Sequence, residues 1–261
     1  MNIIVCLKQV PGTTKVNINS QTNTLIRQGI KNIINPFDSY ALEEGIRIKE
    51  KLGGKVTTVS MGPPQAEEML REAISNGADK AILLSDKDFA GADTLATAYT
   101  LSKAIKKIDE YDLIICGRQT IDGDTGQVGP ELAEMLEIPF IAYVSQIEEI
   151  SNNHIRVQRM IEDGYEIIET PLPAVITVVK EINIPRLPSL RGMTKAKSAV
   201  IPIWTAKEID AEENLVGLSG SATWVINIFF PQREQQGEML QGNAENQVTD
   251  LIEKLKKSKL V

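Results

Sequence analysis

The sequence is poor in the residue types that carry most side-chain catalysis and metal binding. It has one histidine, His154, and two cysteines, Cys6 and Cys116, among 261 residues. Two cysteines cannot build a disulfide framework or a four-ligand zinc site, and no HExxH or CxxC motif is present. His154 falls in a predicted hairpin strand. We therefore predict no catalytic side chain and no metal site, and we interpret the cysteines as buried, reduced thiols.

Basic residues and long apolar runs are also scarce. Lys and Arg total 28 against 35 Asp and Glu, which gives a formal net charge of −7 at pH 7, whereas nucleic acids and anionic membranes are bound by clustered Lys and Arg. The longest apolar runs, at 174–179 and 224–230, are far shorter than the roughly 20 residues of a membrane helix. No secretion signal opens the chain. We expect a cytoplasmic protein with no nucleic-acid partner and no membrane insertion.

Short runs rich in Ile and Val alternate with amphipathic patterns along the first part of the chain. Helical spacing of apolar residues is present in segments such as 36–53, 63–76 and 93–108, and the last of these has a predicted buried stripe that begins at Leu95 and includes Leu101. This alternation predicts an α/β fold with a doubly wound, mostly parallel, Rossmann-like sheet covered by helices on both faces. The predicted strands are 3–7, 55–60, 80–84, 112–116 and 139–144.

The loops that follow the predicted strands are the candidate binding region, because parallel sheets bind ligands at the carboxyl ends of their strands. In the loop after 112–116, Gly123, Gly126 and Gly129 recur every three residues before an amphipathic helix. Backbone N–H groups at a helix start can bind phosphate. The same spacing suits an ordinary helix cap with tolerant glycines, and neither GxGxxG nor a P-loop is present. Both interpretations of the loop stay open at this point.

Six segments, in order over about residues 1–185, resemble the beta subunit of electron-transfer flavoproteins. The last of them fits the family's signature pattern, in which a basic residue precedes an acidic-Gly turn, then Glu, an apolar residue, and a later Pro before two aliphatic residues. The segments are IVCLKQVP near the start, NPFDSYALEEGIRIKEK at 35–51, SMGPPQAEEMLREAISNGAD at 60–79, GADTLAT at 91–97, GRQTIDGDTGQVGPELAEML at 117–136 and VQRMIEDGYEIIETPLPAVIT at 157–177.

The resemblance implies an adenine-nucleotide-binding domain that forms a heterodimer with a larger, FAD-carrying alpha subunit. In many members the beta subunit holds only AMP, as a structural element that supports docking to dehydrogenases. In the electron-bifurcating branch, typical of anaerobic metabolism, it holds a second FAD that accepts hydride from NADH and sends its two electrons to different acceptors. The segments at 60–64, 90–101 and 117–130 are more similar to that branch.

The expected function is therefore that of an NADH-dependent, FAD-binding redox subunit, with AMP binding as the alternative. A stand-alone nucleotide-binding module of the stress-protein type is a third, more distant possibility. The electron acceptors would be ferredoxin and, through the alpha-subunit FAD, a flavin-dependent dehydrogenase for an acyl-CoA, an enoyl-CoA or a hydroxy acid. The chemistry would belong to the cofactor rather than to a protein acid or base.

The resemblance also assigns residues to the nucleotide. Simpler roles exist for several of them, since Lys8 can be a solvated strand end, Asn35 a helix cap and Met61 core filling. Gly126 stands where bifurcating relatives often have Ala, which leaves the cofactor's identity more open. The assigned residues are Cys6, Lys8, Asn35, Met61, Gly62, Pro63, Asp93, Thr94, Thr97, Asp122, Gly123, Asp124, Thr125, Gly126, Gln127 and Val128.

The sequence divides into a nucleotide-binding domain at 1–185 and a C-terminal segment at 186–261. The second segment abandons the strand and helix alternation yet holds both tryptophans, Trp204 and Trp224. Exposed aromatic residues are typical of protein interfaces. The resemblance predicts an arm that contacts the alpha subunit and ends in a helix from about 244. The alternative is that this segment folds back onto its own domain.

Overall fold

A computed structural model shows the fold of the chain in two compact units. The units are Met1–Ile226 and Asn227–Val261, and each is described by itself. The described residues are 1–12, 17–19, 24–26, 32–226 and 237–261.

Thirteen strands lie within the described residues. They are β1 (Asn2–Cys6), β2 (Gln9–Pro11), β3 (Asn17–Asn19), β4 (Thr24–Ile26), β5 (Asn32–Ile34), β6 (Lys55–Met61), β7 (Lys80–Leu84), β8 (Leu113–Gly117), β9 (Phe140–Ile150), β10 (His154–Ile161), β11 (Gly164–Pro171), β12 (Ala174–Val178) and β13 (Ile203–Trp204).

The same residues contain six α-helices, none of which is long and apolar enough to cross a membrane. Short 3-10 turns precede or connect several of them. The helices are α1 (Pro36–Leu52), α2 (Glu67–Asn76), α3 (Thr94–Ile108), α4 (Val128–Leu136), α5 (Leu190–Ser198) and α6 (Ala244–Lys257).

One large sheet organises the first unit. Its strand order is β11-β10-β9-β12-β8-β1-β6-β7-β13, and every pairing is parallel except those of β10 with its two neighbours. From β1 the chain builds outward through β6 and β7, then crosses to the other side of β1 to form β8 and β12. The strand order therefore reverses between β1 and β8, which is the position where open parallel sheets form a ligand-binding crevice.

Helices cover both faces of this sheet, as the alternating sequence predicted. On β1, Ile3 and Val5 point into a core shared with α1 and α2, whereas Ile4 points into a second core shared with α3 and α4. Parallel strands covered on both sides are apolar at consecutive positions. The continuous Ile and Val runs of the sequence are explained by these two cores.

The structure confirms the doubly wound, mostly parallel α/β fold and corrects one detail of its core. Leu95, predicted to lie in the buried stripe of α3, is 41% exposed, whereas Leu101 on the same helix is 5% exposed. Leu95 is the second residue of α3, in the first turn of the helix, and that turn begins at the carboxyl edge of the sheet. Helical periodicity identifies a face but cannot show where along that face the sheet ends.

Residues 186–226 belong to the first unit by their contacts. The Arg186 guanidinium donates to Glu43 Oε2 at 2.8 Å and to Glu50 Oε1 at 2.6 Å, both on α1. Helix α5 packs on α2, and β13 pairs with β7 at the sheet edge. The compact unit thus extends to Ile226, beyond the boundary at 185 that the sequence suggested.

The second unit contains α6, close to the predicted start at 244. Asn243 caps it by accepting a hydrogen bond from the backbone N–H of Asn246 at 2.9 Å. Val248, Leu251 and Ile252 are all exposed on this helix. Phe229 and Phe230, in the apolar run at 224–230, lie outside the described residues.

Two leucine truncations on α3 test the position of the core. Leu101→Ala should lower the free energy of unfolding by about 2–5 kcal/mol, because a buried side chain leaves a cavity. Leu95→Ala should change it by about 0.5 kcal/mol or less, since surface truncations cost little. Urea unfolding followed by circular dichroism measures both, and equal losses would contradict the placement of α3.

Candidate functional site

The buried amide of Asn35 joins three segments at the carboxyl edge of the sheet. Its Nδ2 donates to the carbonyl of Gln119 and to Asp38 Oδ1, each at 2.9 Å, while its Oδ1 accepts from the N–H of Ile121 at 3.2 Å. The backbone N–H of Asn35 donates to the carbonyl of Lys8 at 2.9 Å. Asn35 stands at the N-cap position of α1 but makes no side-chain cap bond. It holds the loop after β8 against the end of β1.

Asp38 completes this network from the first turn of α1. Its Oδ2 accepts from the backbone N–H of Lys8 at 2.7 Å. Burial raises the pKa of the Asp38 carboxyl to about 7, against the opposing effect of hydrogen bonds from Asn35, Lys8 and Gly117. The carboxyl is therefore a buried, titratable group in the crevice between β1 and β8.

The loop at 117–127 is tethered through side chains on either side of Gly123. Lys8 Nζ pairs with Asp122 Oδ1 at 2.8 Å, and the side chain of Gln119 donates to Asp124. The positive φ of Gly126, 65°, is one that a β-branched residue adopts only with strain. A Cβ at Gly123 would meet only the Thr120 hydroxyl, at 3.3 Å. The backbone around Gly123 is thus accessible to a ligand.

Gly129 has a structural explanation instead. A Cβ at this position would lie 2.5 Å from Thr177 Cγ2, so glycine lets α4 approach β12 closely. The three-residue spacing of glycines therefore combines a close helix contact at Gly129 with a turn at Gly126. Of the three glycines, Gly123 is the one whose position is left to be explained by ligand binding.

The predicted residues on α3 lie beside the start of α4. Thr94 Oγ1 donates to Glu131 Oε1 at 3.0 Å, and the second oxygen of Glu131 is buried with no partner. Burial raises the pKa of Glu131, although the Thr94 hydroxyl opposes this effect. Thr97 is half-buried, and its N–H donates to the carbonyl of Asp93 at 3.0 Å. The two helix starts are thereby linked at the carboxyl edge of the sheet.

The Asp93 carboxylate is already engaged within the chain. Its Oδ1 caps α3 by accepting from the N–H of Ala96 at 3.0 Å, and its Oδ2 accepts from the N–H of Thr223 at 2.9 Å. Burial alone would raise the pKa of Asp93, but hydrogen bonds from Ala96 and Thr223 hold it below its ordinary value. The side chain of Asp93 is therefore an ionised cap rather than a free ligand for a phosphate.

The remaining predicted residues line the ends of β1 and β6. Met61 packs against the second core, and the N–H of Gly62 donates to the carbonyl of Leu84 at 3.0 Å. Cys6 and Cys116 are buried free thiols on neighbouring strands. The pKa of the Cys116 thiol is raised by its hydrogen bond with Cys6 and by burial. Both cysteines are buried and free, as the sequence predicted.

A cavity of about 420 Å³ adjoins the tethered loop, and the sequence analysis did not identify it. The Arg118 guanidinium lies 5.4 Å from the ring centre of Tyr143, and its Nε donates to Gln119 Oε1 at 2.7 Å. Arg159 Nε is buried without a hydrogen-bond partner, and Tyr143 has a φ of 58°, a strain that is common at binding sites. The lining residues are Arg118, Tyr143, Arg159, Met160, Ile161, Glu162 and Val179.

This cavity could have been suspected from two of the family-like segments. Arg118 and Arg159 occur in the stretches at 117–136 and 157–177, but only the folded sheet shows that they share a cavity. His154 lies elsewhere on β10, with Nε2 3.5 Å from Glu149. Among the described residues, no group of three or more His, Cys, Asp or Glu could hold a metal ion.

The pH dependence of stability should report the buried Asp38. Between about pH 4 and pH 7 the folded chain retains a proton that the unfolded chain, with a pKa near 3.8, has released. The folded state then binds more protons, so the free energy of unfolding falls as pH rises through this window and levels off above it. Asp38→Asn cannot titrate and should lack this component. Urea unfolding of both chains from pH 4 to 8 measures the difference, and a constant difference would contradict the assignment.

Comparison with known proteins identifies the family. Residues 22–209 match the family model described as electron transfer flavoprotein domain. The chain is 52% identical over 256 residues to the electron transfer flavoprotein subunit beta of Thermoanaerobacterium thermosaccharolyticum, with 98% of both chains covered.

Two further relatives are similar over their full or nearly full length. The chain is 46% identical over 263 residues to the caffeyl-CoA reductase-Etf complex subunit CarD of Acetobacterium woodii, with all of both chains covered. It is 45% identical over 256 residues to the electron transfer flavoprotein subunit beta of Clostridium acetobutylicum, with 98% of both covered. Given these matches, this chain belongs to the electron transfer flavoprotein family and is one of its beta subunits.

Proposed function

We propose that this beta subunit binds its own FAD, accepts hydride from NADH and distributes the electrons to ferredoxin and, through an alpha-subunit FAD, to a partner dehydrogenase. Family membership itself implies a flavin, an alpha subunit and a dehydrogenase. The proposal adds the second FAD, NADH and bifurcation. The observation that carries it is the cavity beside the open loop, because a dinucleotide needs a second subsite next to the one that holds its adenylate half.

The loop at 122–128 suits the adenylate half of the ligand. The start of α4 presents backbone N–H groups with a favourable dipole, and the backbone around Gly123 is open. Lys8, 46% exposed in its side chain, adds a positive charge to a chain that is acidic overall. Asn35 fixes the loop through Gln119 and Ile121. Loop residues 122–128 would therefore bind phosphate and ribose mainly through the backbone.

The cavity suits the flat ring of a flavin. Tyr143 supplies an aromatic wall, and the walls formed by Met160, Ile161 and Val179 are apolar. The Arg118 and Arg159 side chains bring two positive charges to the same cavity, where a nearby cation favours negative charge on a bound ring. Bound FAD would supply hydride acceptance and electron transfer, while these residues would orient the ring and raise its affinity for electrons.

The cavity and the loop are joined by one residue. Gln119 accepts from Arg118 through its side chain, donates its side-chain amide to Asp124, and accepts from Asn35 through its backbone carbonyl. A ligand that spans both subsites would therefore contact a single hydrogen-bonded framework. This continuity favours a dinucleotide over two unrelated small ligands.

Three exposed apolar regions are available for the protein partners. Trp224, Val225 and Ile226 are exposed at the end of the first unit, and α6 carries exposed apolar residues in the second. These fit the proposed arm that contacts the alpha subunit. A separate patch around α5 leaves Leu187 88% and Leu190 82% exposed. This patch is suited to the dehydrogenase, since partners that bind simultaneously need different surfaces.

The alternative function is that of a structural AMP-binding subunit. The ionised Asp93 carboxylate at the start of α3 favours it, because a negative charge there opposes a second phosphate. In that case residues 122–128 would hold AMP, and electron transfer would involve the alpha-subunit flavin alone.

Cofactor counting distinguishes the two functions. The purified heterodimer should contain two flavins, and NADH should bleach one of them rapidly without added dehydrogenase. Nucleotide extraction and an absorption spectrum give the count, and stopped-flow absorbance gives the NADH response. One flavin with one AMP per heterodimer would establish the alternative.

Substitution at Gly123 tests the proposed phosphate-binding loop. Gly123→Val should lower nucleotide content by about tenfold without loss of fold, because the new side chain would occupy the space of the approaching phosphate. Gly237→Val is a matched control, since that glycine also has open space around it and lies in the other unit. Nucleotide is quantified per purified heterodimer. Full nucleotide content in Gly123→Val would contradict the assignment.

A further inference from the structure

The pairing of β9 with β12 is irregular at the cavity. The register shifts by one residue between Ile141 and Val144, so that Ala142 and Tyr143 together oppose only Thr177 on β12. Two residues opposite one is the arrangement of a β-bulge, which redirects side chains and is common beside active sites. Tyr143 has a φ of 58° here, a conformation that is rare for a bulky residue. The bulge therefore decides where the Tyr143 side chain lies.

The hydroxyl of Thr177 supplies the hydrogen bond that the bulge takes from Tyr143. A bulged residue loses its regular partner in the ladder, and a backbone N–H that is shielded from water needs another acceptor. The N–H of Tyr143 donates to Thr177 Oγ1 at 3.1 Å, and Thr177 is only 3% exposed. A buried side-chain acceptor thus stabilises a backbone conformation that is otherwise strained.

The methyl group of Thr177 has a different neighbour. A Cβ added at Gly129 would lie 2.5 Å from Thr177 Cγ2, so the methyl group occupies the space beside the first turn of α4. That helix begins at the end of the proposed nucleotide loop. Thr177 therefore contacts the cavity wall through its hydroxyl and α4 through its methyl group.

The residue after Thr177 holds the other side of the same wall. The carbonyl of Val178 accepts from the backbone N–H of Arg118 at 3.0 Å, and the Arg118 guanidinium lies 5.4 Å from the Tyr143 ring centre. Two consecutive residues of β12 thus fix the backbone of both the aromatic ring and the cation. The geometry of this wall depends on β12 rather than on the residues that line the cavity.

Resting on the proposed function, we propose that Thr177 is a positioning residue for the flavin ring of FAD. Thr177 is not among the residues that line the cavity, and it acts through the backbone of Tyr143. Its hydroxyl keeps Tyr143 at a positive φ, so that the aromatic wall is in place before the ring binds. Its methyl group supports α4, which follows the adenylate subsite.

The two groups of Thr177 should therefore affect two ligands differently. Without the hydroxyl, Tyr143 relaxes toward an extended backbone in the free chain, and a flavin ring binds only the fraction of chains that keep the bulge. The apparent affinity for FAD falls by that fraction. AMP has no flavin ring, so its binding to the 122–128 loop does not depend on the bulge. Loss of the methyl group acts at α4, which both ligands use.

The substitutions Thr177→Val and Thr177→Ser separate these effects in the full-length beta chain. Valine keeps both γ carbons and loses the hydroxyl, so the Kd for FAD should rise about tenfold while the Kd for AMP changes by less than about twofold. Serine keeps the hydroxyl and should retain the wild-type ratio of the two Kd values. Calorimetric titration of nucleotide-stripped chains with FAD and with AMP measures both constants.

A measurement without any ligand tests the same hydrogen bond. In Thr177→Val the Tyr143 N–H should exchange with solvent faster than in the wild type, because its acceptor is gone. Hydrogen exchange followed by NMR on the ligand-free chain measures this rate. Thr177→Ser should keep the wild-type rate. Thr177→Ala and Thr177→Ser differ only in the hydroxyl, and they provide the same comparison if the valine variant does not fold.

Thr58→Val is the matched control. Thr58 is a fully buried threonine on β6 of the same sheet, and its hydroxyl donates to the carbonyl of Lys80 at 3.3 Å. This variant should keep the wild-type Kd ratio and the wild-type exchange of the Tyr143 N–H. A folded Thr177→Val chain with either quantity unchanged would overturn the role of Thr177 alone. A wild type that binds AMP but not FAD would overturn the proposed function, and the role of Thr177 with it.

Discussion

The arrangement of the site depends on the buried hydrogen bonds of Asn35 and Asp38. A buried amide and a buried carboxyl are costly unless their polar atoms are paired. Here both are paired with groups from the end of β1, the start of α1 and the loop after β8. Any displacement of that loop would leave polar atoms buried and unpaired. This penalty fixes an otherwise exposed, glycine-containing loop at the point where the strand order reverses.

The site combines few charged side chains with many backbone groups. Lys8 is paired with Asp122, and the Asp93 carboxylate accepts hydrogen bonds from the backbone N–H groups of Ala96 and Thr223. The cavity holds Arg118 and Arg159 beside the Glu162 carboxylate, and Arg159 Nε has no hydrogen bond but lies 3.9 Å from Glu166 Oε2. The proposed binding of an anionic cofactor by an acidic chain agrees with this arrangement, because local donors decide binding where net charge would oppose it.

The stretch at 186–226 packs on elements that also form the candidate site. Arg186 bonds Glu43 on α1, β13 extends the sheet, and Thr223 bonds Asp93 at the start of α3. The prediction of an extended arm from 186 treated this stretch as one piece. Its contacts show instead a packed part up to Ile226, followed by a separate unit. Contact with the alpha subunit remains a proposal, and it concerns the exposed residues at 224–226 and on α6.

The sequence by itself determined three things: the helical layers on both faces of the sheet, the edge of the sheet where a ligand site is expected, and the family. Consecutive Ile and Val runs require strands buried on both faces, and sheets of this kind bind ligands at the carboxyl ends of their strands. Tertiary structure alone decided which distant residues meet there. The cavity extends from the end of β8 across β12 and β9 to β10, and this strand order brings Arg118 and Arg159 to the same cavity. Asp93 likewise bonds Thr223, which is distant in the sequence. Periodicity shows which face of an element is buried, but the partner that buries it is set by packing across the whole chain.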